Sequence, residues 1–291
     1  MNPAATPRGR LIDIGAGRHL HAVRAGPNVG GPLVVLEAGA FGISADWASV
    51  QDKLTASHIA SLAYDRAGLG ISDPGPPPRD SLAIVKDLEA LLIAIAETGP
   101  LVLCGHSMAG LHVRLFALRN PGRLVGLVLV DATTPEAMDS KLLSRLVKPF
   151  AGVSRLAAWG AEAGLLKLLA GQFGDGIGLP EAAATEKRNA FASPTHNRWA
   201  ADEAGTWATS SGQAREAGEL DPNWPVAVVL AGSVGPSGGL RAMQTIPAKA
   251  SSHGLIEHVT GASHASVLSA EHNHAIVRGI QHVLRAAILP I

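Results

Sequence analysis

The stretch Leu101-Val-Leu-Cys-Gly-His-Ser-Met-Ala-Gly110 decides the fold. Its apolar start predicts a buried strand and Ala109–Arg119 a helix, so Ser107 falls on the turn between them. A strand-to-helix turn this sharp strains its serine and lifts the hydroxyl above the sheet. It accepts only small residues two before and two after the serine, and Gly105 and Ala109 meet that condition. Gly110 leaves further room for the helix to approach.

Working outward, strands and helices alternate. Leu11–Ala25 reads as two short strands around a Gly15–Gly17 turn, and Pro32–Leu36, Ile59–Tyr64 and Leu124–Val130 read as further strands. Asp46–Ala56 reads as a helix with Ser44 as its N-cap, and Ser81–Glu97 as an amphipathic helix. Thr134–Asp221 is helical and aromatic, with no strand-like run. The rhythm then resumes with strands Val226–Ala231 and Leu255–Val259 and helices Leu240–Ala248 and Ala270–Ala287. Such alternation predicts an α/β fold: a mostly parallel central sheet of about eight strands with helices on both faces. The composition shift divides the chain into a core, 1–133 and 223–291, and a helical cap insertion, 134–222. In sheets of this kind ligands bind at the carboxyl ends of the strands.

The 291 residues are 47% hydrophobic, enough for a full core, and only 16% charged. Lys and Arg (24) balance Asp and Glu (24), so the overall charge indicates no basic surface for nucleic acid or anionic lipid. High hydrophobicity with no net charge also excludes a disordered chain. Cys104 is the single cysteine, so no intrachain disulfide can form. Met1–Arg10 has no apolar core of a signal peptide, and no apolar run reaches the ~18 residues of a membrane span. A cytoplasmic protein acting on a small molecule is expected.

Four further stretches join the serine turn: Val34-Val-Leu-Glu-Ala-Gly-Ala-Phe-Gly42, Tyr64-Asp-Arg-Ala-Gly-Leu-Gly-Ile-Ser-Asp73, Leu127-Val-Leu-Val-Asp131 and the Gly261-Ala-Ser-His264 run. With them the chain resembles the α/β-hydrolases of the compact, capped type, over 31–131 and 226–287 but not over the insertion. The resemblance implies that Ser107 is the nucleophile, with a base in the loop after the last strand, where His264 lies. Many relatives carry the acid after the strand equivalent to Val226–Ala231, yet 232–252 contains no Asp or Glu. Some carry it one strand earlier, which points to Asp131, with Glu257 as the alternative. Asp221 precedes its strand and lies at the wrong edge. The oxyanion donors implied are the backbone N–H groups of Met108 and Ala40; Ala38-Gly39-Ala40 stands where most relatives have His-Gly-X.

The remaining features read as structural. His106 is expected to pack or cap locally, since adjacent residues on a turn point apart. His19, His21, His112, His258, His272 and His274 read as solvated or core histidines. Asp65, Arg66 and Ser72 brace a loop, and Cys104 is an inert core thiol. Trp199 and Trp207, eight apart, would share one helix face, lining a pocket or anchoring the cap. Gly171–Gly178 could hinge a lid. No dinucleotide, phosphate or metal motif is present, so no cofactor is expected. The expected activity is cofactor-free hydrolysis of a small to medium apolar ester or lactone through an acyl-enzyme. A serine nucleophile argues against dehalogenase or epoxide-hydrolase chemistry, which on this scaffold generally uses Asp. Acyl transfer, C–C bond hydrolysis, cofactor-free peroxidation and a non-catalytic binding module are the alternatives.

Overall fold

The computed structural model describes residues 8–27, 30–233 and 238–287. In chain order its elements are β1 (Arg10–Asp13), β2 (His19–Ala25), β3 (Leu33–Glu37), α1 (Ala48–Ala56), β4 (Ser61–Tyr64), α2 (Ser81–Ala94), β5 (Leu101–His106), α3 (Ala109–Arg119) and β6 (Leu124–Val130). Six helices follow: α4 (Pro135–Met138), α5 (Lys141–Glu162), α6 (Leu165–Phe173), α7 (Glu181–Ala192), α8 (Pro194–Gly205) and α9 (Trp207–Glu216). The chain closes with β7 (Val226–Ala231), α10 (Gly238–Gln244), α11 (Ile246–Ala250), β8 (Gly254–Val259) and α12 (His274–Ala286).

The eight strands form one sheet in the order β1-β2-β4-β3-β5-β6-β7-β8. Strand β2 runs antiparallel to both its neighbours, and all pairs from β4 to β8 are parallel. Parallel strands are covered on both faces, and the alternation of side chains separates two cores. Leu33 and Val35, Leu101 and Leu103, and Leu127 and Leu129 face one core with α2 and α3. Val34 and Leu36, Val102 and Cys104, and Val128 and Val130 face the other with α1 and α12. Each fully buried branched or aromatic side chain there contributes roughly 1.5–3 kcal/mol. The chain order reverses beside β3, which leads into β4 on one side while β5 lies on the other. This is where open α/β sheets form a crevice at their carboxyl ends.

Several local readings change. Ser44 does not cap α1: it begins a 3₁₀ turn, Ser44–Trp47, whose first free amide, Ile43 N–H, is taken by the Asp46 carboxylate at 2.9 Å. The segment read as one helix after β7 is two, α10 and α11, since Pro247 cannot donate into a continuing helix. The last helix starts at His274, with the preceding residues in turns. Trp199 and Trp207 lie on different helices, because α8 ends at Gly205 and Thr206 bends back to bond Arg79. Among the described residues no helix is long and apolar enough to cross a membrane.

Candidate active site

Ser107 sits at the end of β5 with φ +56°, the left-handed region that costs a side-chain-bearing residue strain. Its backbone is held from the neighbouring strand. Ser107 N–H donates to the Val130 carbonyl at 3.1 Å, and the Ser107 carbonyl accepts from Thr133 N–H at 2.8 Å. The turn is too tight for larger neighbours: a Cβ on Gly105 would come within 2.9 Å of the Ala109 carbonyl oxygen. One on Gly110 would meet the Thr133 carbonyl oxygen at 2.4 Å.

Asp131 follows β6, one strand over, also at positive φ (+42°), with its N–H bonded to the Val229 carbonyl at 2.7 Å. His264 arrives on the loop beyond β8. The structure brings the three together: His264 Nε2 lies 2.9 Å from Ser107 Oγ, and His264 Nδ1 lies 2.6 Å from Asp131 Oδ2. Burial alone would push the Asp131 carboxyl up, but the His264 hydrogen bond and charge hold it below the usual carboxylate range. The imidazole is more than half exposed, so water can reach it. Glu257 is not part of this group. It projects from β8 onto Arg278 of α12, in a forked ion pair.

His106 departs from the local role expected of it. Its Nε2 donates to the carbonyl of His264 at 2.9 Å, and the two ring centroids lie 4.7 Å apart, with the planes tilted by 33°. Burial, and then the neighbouring His264, push the His106 imidazole down to about 3, so it stays neutral. A residue on the serine turn therefore holds the far loop in place.

The loop after β3 is oriented through its carbonyls. Arg66 donates from Nη2 to the Gly39 carbonyl at 2.8 Å and from Nη1 to the Ala38 carbonyl. Gly42 N–H also reaches the Gly39 carbonyl, at 3.0 Å. Lys187 of α7 takes the Phe41 carbonyl at 3.0 Å. In a trans peptide the N–H of Ala40 points opposite to the Gly39 carbonyl, so Arg66 turns that N–H away from itself. Among the described residues neither Ala40 N–H nor Met108 N–H has a protein acceptor. The loop also lies directly against the serine, since a Cβ on Gly39 would fall 2.8 Å from Ser107 Cβ. Arg66 is itself fixed between Glu37 (2.8 Å) and Glu203 of α8 (2.8 Å), all three fully buried. Nothing in the sequence marks Glu203, whose partner lies 137 residues away.

The family model for the alpha/beta hydrolase fold matches residues 32–252. The chain belongs to that family. Among solved structures, an esterase from Thermogutta terrifontis matches this α/β-hydrolase with a TM-score of 0.64 at 21% identity, covering 96% of this chain and 99% of that one. An enol-lactonase from Burkholderia xenovorans LB400 matches with a TM-score of 0.65 at 20% identity, covering 94% and 99%. Among curated proteins, "Probable transporter efuK" of Hormonema carpetanum is 35% identical over 130 residues, 43% of this chain and 18% of that protein. The matched part thus spans about a fifth of the length of the first curated relatives.

In this α/β-hydrolase Ser107, Asp131 and His264 open onto a cleft of about 440 Å³. Its walls include Leu143, Trp207, Leu240 and Ala262, with Thr133 and Gln244 as uncharged polar groups. Arg241 also faces it, its Nη2 tied to the Ala231 carbonyl at 2.9 Å. The two tryptophans divide the roles foreseen for them. Trp207 lines the cleft and meets Phe150 edge-on at 5.4 Å, whereas Trp199 packs on the backbone of Gly68. The Gly-rich break is tied down by Asp175, which accepts from Leu179 N–H at 3.1 Å and from Ile177 N–H at 3.3 Å. Among the described residues no three His, Cys, Asp or Glu side chains converge as a metal site would need. Cys104 is fully buried and burial pushes its thiol far up.

Proposed function

We propose that this protein is a serine hydrolase that cleaves small to medium apolar carboxylic esters or lactones through an acyl-enzyme on Ser107. The observation that carries the reading is the continuous chain Ser107 Oγ, His264 Nε2, His264 Nδ1, Asp131 Oδ2, with links of 2.9 and 2.6 Å. A serine hydroxyl becomes nucleophilic when an adjacent base takes its proton during attack. In this reading His264 is that base, and Asp131 keeps the proton on Nδ1 and stabilises the imidazolium that forms. The acyl oxygen, negative in the tetrahedral intermediate, receives the N–H groups of Ala40 and Met108, each worth about 10²–10³ in rate. His264 then protonates the departing alcohol, and the same imidazole activates the water that releases the acid.

The apolar part of the cleft wall, Leu143, Trp207, Leu240 and Ala262, supports an apolar acyl or alcohol group of modest size, with Thr133, Arg241, Gln244 and Ser263 as the polar part beside it. Residues 134–222 act as a cap over a core formed by 1–133 and 223–291, with Trp207 and Leu143 reaching the cleft from the cap. The lone, unpaired Cys104 supports a cytoplasmic setting. The test is covalent labelling by a fluorophosphonate probe. Wild type is expected to label and to hydrolyse p-nitrophenyl acylates, and Ser107→Ala to do neither. A folded wild type that neither labels nor turns over such esters would overturn the reading in favour of a binding module.

A further inference from the structure

Helix α5 has two apolar surfaces of different exposure. At about 100° per residue, Leu143, Val147, Phe150, Ser154, Ala158 and Ala161 lie along one stripe. That stripe faces inward: Leu143 reaches the cleft, Val147 and Phe150 pack near Met108 and Trp207, and the last three are buried. Turned away from it, Leu146, Val153 and Leu156 form a second apolar surface, and these residues with Trp159 are each more than half exposed. Beside it stands Arg145, exposed and without an ion-pair partner among the described residues, whereas Arg155 turns its guanidinium toward Gly205 of α8, in a groove it shares with Asp202. Helix α6 continues the pattern with exposed Leu165, Leu168 (83%) and Leu169 next to exposed Lys167.

Seven exposed large apolar side chains gathered on two successive helices mark an interaction surface. Charge identifies the partner. Residues 141–173 contain five basic residues and one acidic residue, leaving 19 basic and 23 acidic for the rest of the chain. The balanced total therefore conceals a basic segment on an acidic body. Pairing two copies through this patch would set like charges against each other, which a self-complementary interface penalises. Helices with exposed apolar surfaces, an exposed Trp and flanking cations instead suit the headgroup layer of an anionic bilayer.

We infer that the outward face of α5 and α6 is a peripheral docking surface for anionic lipid bilayers. The helices lie in the interface plane, with Val153, Leu156, Trp159 and Leu168 among the acyl chains and Arg145 and Lys167 at the headgroups. This goes beyond the proposed hydrolysis and does not depend on it.

The test is co-sedimentation of the full chain with vesicles of phosphatidylcholine alone or with about 30 mol % phosphatidylglycerol. Wild type is expected to bind the anionic vesicles at least about tenfold more tightly, and to be released by about 0.5 M salt. Two variants probe separate components: Leu156→Glu with Leu168→Glu, and Arg145→Glu with Lys167→Glu. Both are outward-facing, and each is expected to weaken anionic-vesicle binding about tenfold or more. Absence of vesicle binding, equal binding to both lipids, or binding unchanged in the charge-reversal pair would overturn the inference. So would light scattering that shows a dimer dissociated by Leu156→Glu. None of these readouts uses catalysis, so they stand apart from the labelling result at Ser107.

Discussion

His106 and His264, 158 residues apart, are joined by a 2.9 Å hydrogen bond from an imidazole to a backbone carbonyl, with their rings in contact. The donor stands next to Ser107 and the acceptor is the residue that reaches Ser107 Oγ. In the proposed mechanism the serine turn thus positions its own base through a contact that involves neither of the atoms proposed to react. His106→Ala should lower kcat on p-nitrophenyl esters by roughly 10–100-fold with little change in KM, because small misplacements of reacting groups cost this much. His106→Asn, which keeps a donor, should recover part of the loss, as steady-state kinetics on both variants would reveal. Equal loss in both would make the ring itself, not the hydrogen bond, the positioning element.

The proposal that Asp131, just after β6, is the acid separates two carboxylates experimentally. Asp131→Asn should cost on the order of 10³–10⁴ in kcat, since an amide favours the wrong imidazole tautomer. Glu257→Gln breaks only the Glu257–Arg278 pair on a half-exposed Arg278. Its expected cost is within about 1 kcal/mol of stability and no more than a small change in turnover. Similar losses in the two variants would place the acid elsewhere.

The buried Glu37–Arg66–Glu203 cluster couples α8 to the Ala38–Gly39 peptides. Burial would push the Arg66 guanidinium down, but its two carboxylate partners hold it above its ordinary value, so the charge persists. Glu203→Gln should destabilise the protein by about 3 kcal/mol, because removing one partner strands part of a buried charge. It should also lower kcat more than it raises KM, since the Ala40 N–H loses its fixed orientation. Urea denaturation gives the first quantity and ester kinetics the second.

Acid sensitivity should come from histidines as well as carboxylates. Burial pushes His106 and His196 down to about 3 and His112 well below its ordinary value. Each is neutral when folded but takes a proton near pH 6.5 when unfolded, so the unfolded chain binds more protons below that pH. Stability is then fully present above pH 6.5 and falls as pH drops, for His106 and His196 by about 1.4 kcal/mol per pH unit each on the way to about 3. His196→Asn keeps an acceptor for the Gly70 N–H, which Nδ1 meets at 3.1 Å. The slope of unfolding free energy between pH 6.5 and 4.5 should therefore be shallower in this variant than in wild type by that amount.

Much of the fold was legible because one-dimensional signals govern it. The apolar run Leu101–Cys104, ending at Gly105, declares a buried strand and a tight turn, and Ala109–Arg119 and Leu124–Val130 fall where periodicity puts them. The absence of acid over 232–252 singles out Asp131 in the sequence, and the structure sets it beside His264. What escaped was tertiary. Thr206 ends α8 by bonding Arg79, so the spacing of Trp199 and Trp207 carried no helical meaning. The chain neighbours of His106 suggest only a local role, whereas its partner comes from beyond β8. Glu203 and Lys187 clamp the β3 loop from the insertion, and no local pattern announces a pairing across more than a hundred residues.

Because 232–252 holds no carboxylate, the wall of the cleft built by Leu240, Arg241 and Gln244 contributes no member of the proposed proton-transfer chain. Saturation libraries at these three positions can reshape what the cleft admits while the groups proposed to react stay at the ends of β5 and β6 and on the β8 loop. That wall is where laboratory evolution, or natural drift, can retune selectivity without first rebuilding the chemistry.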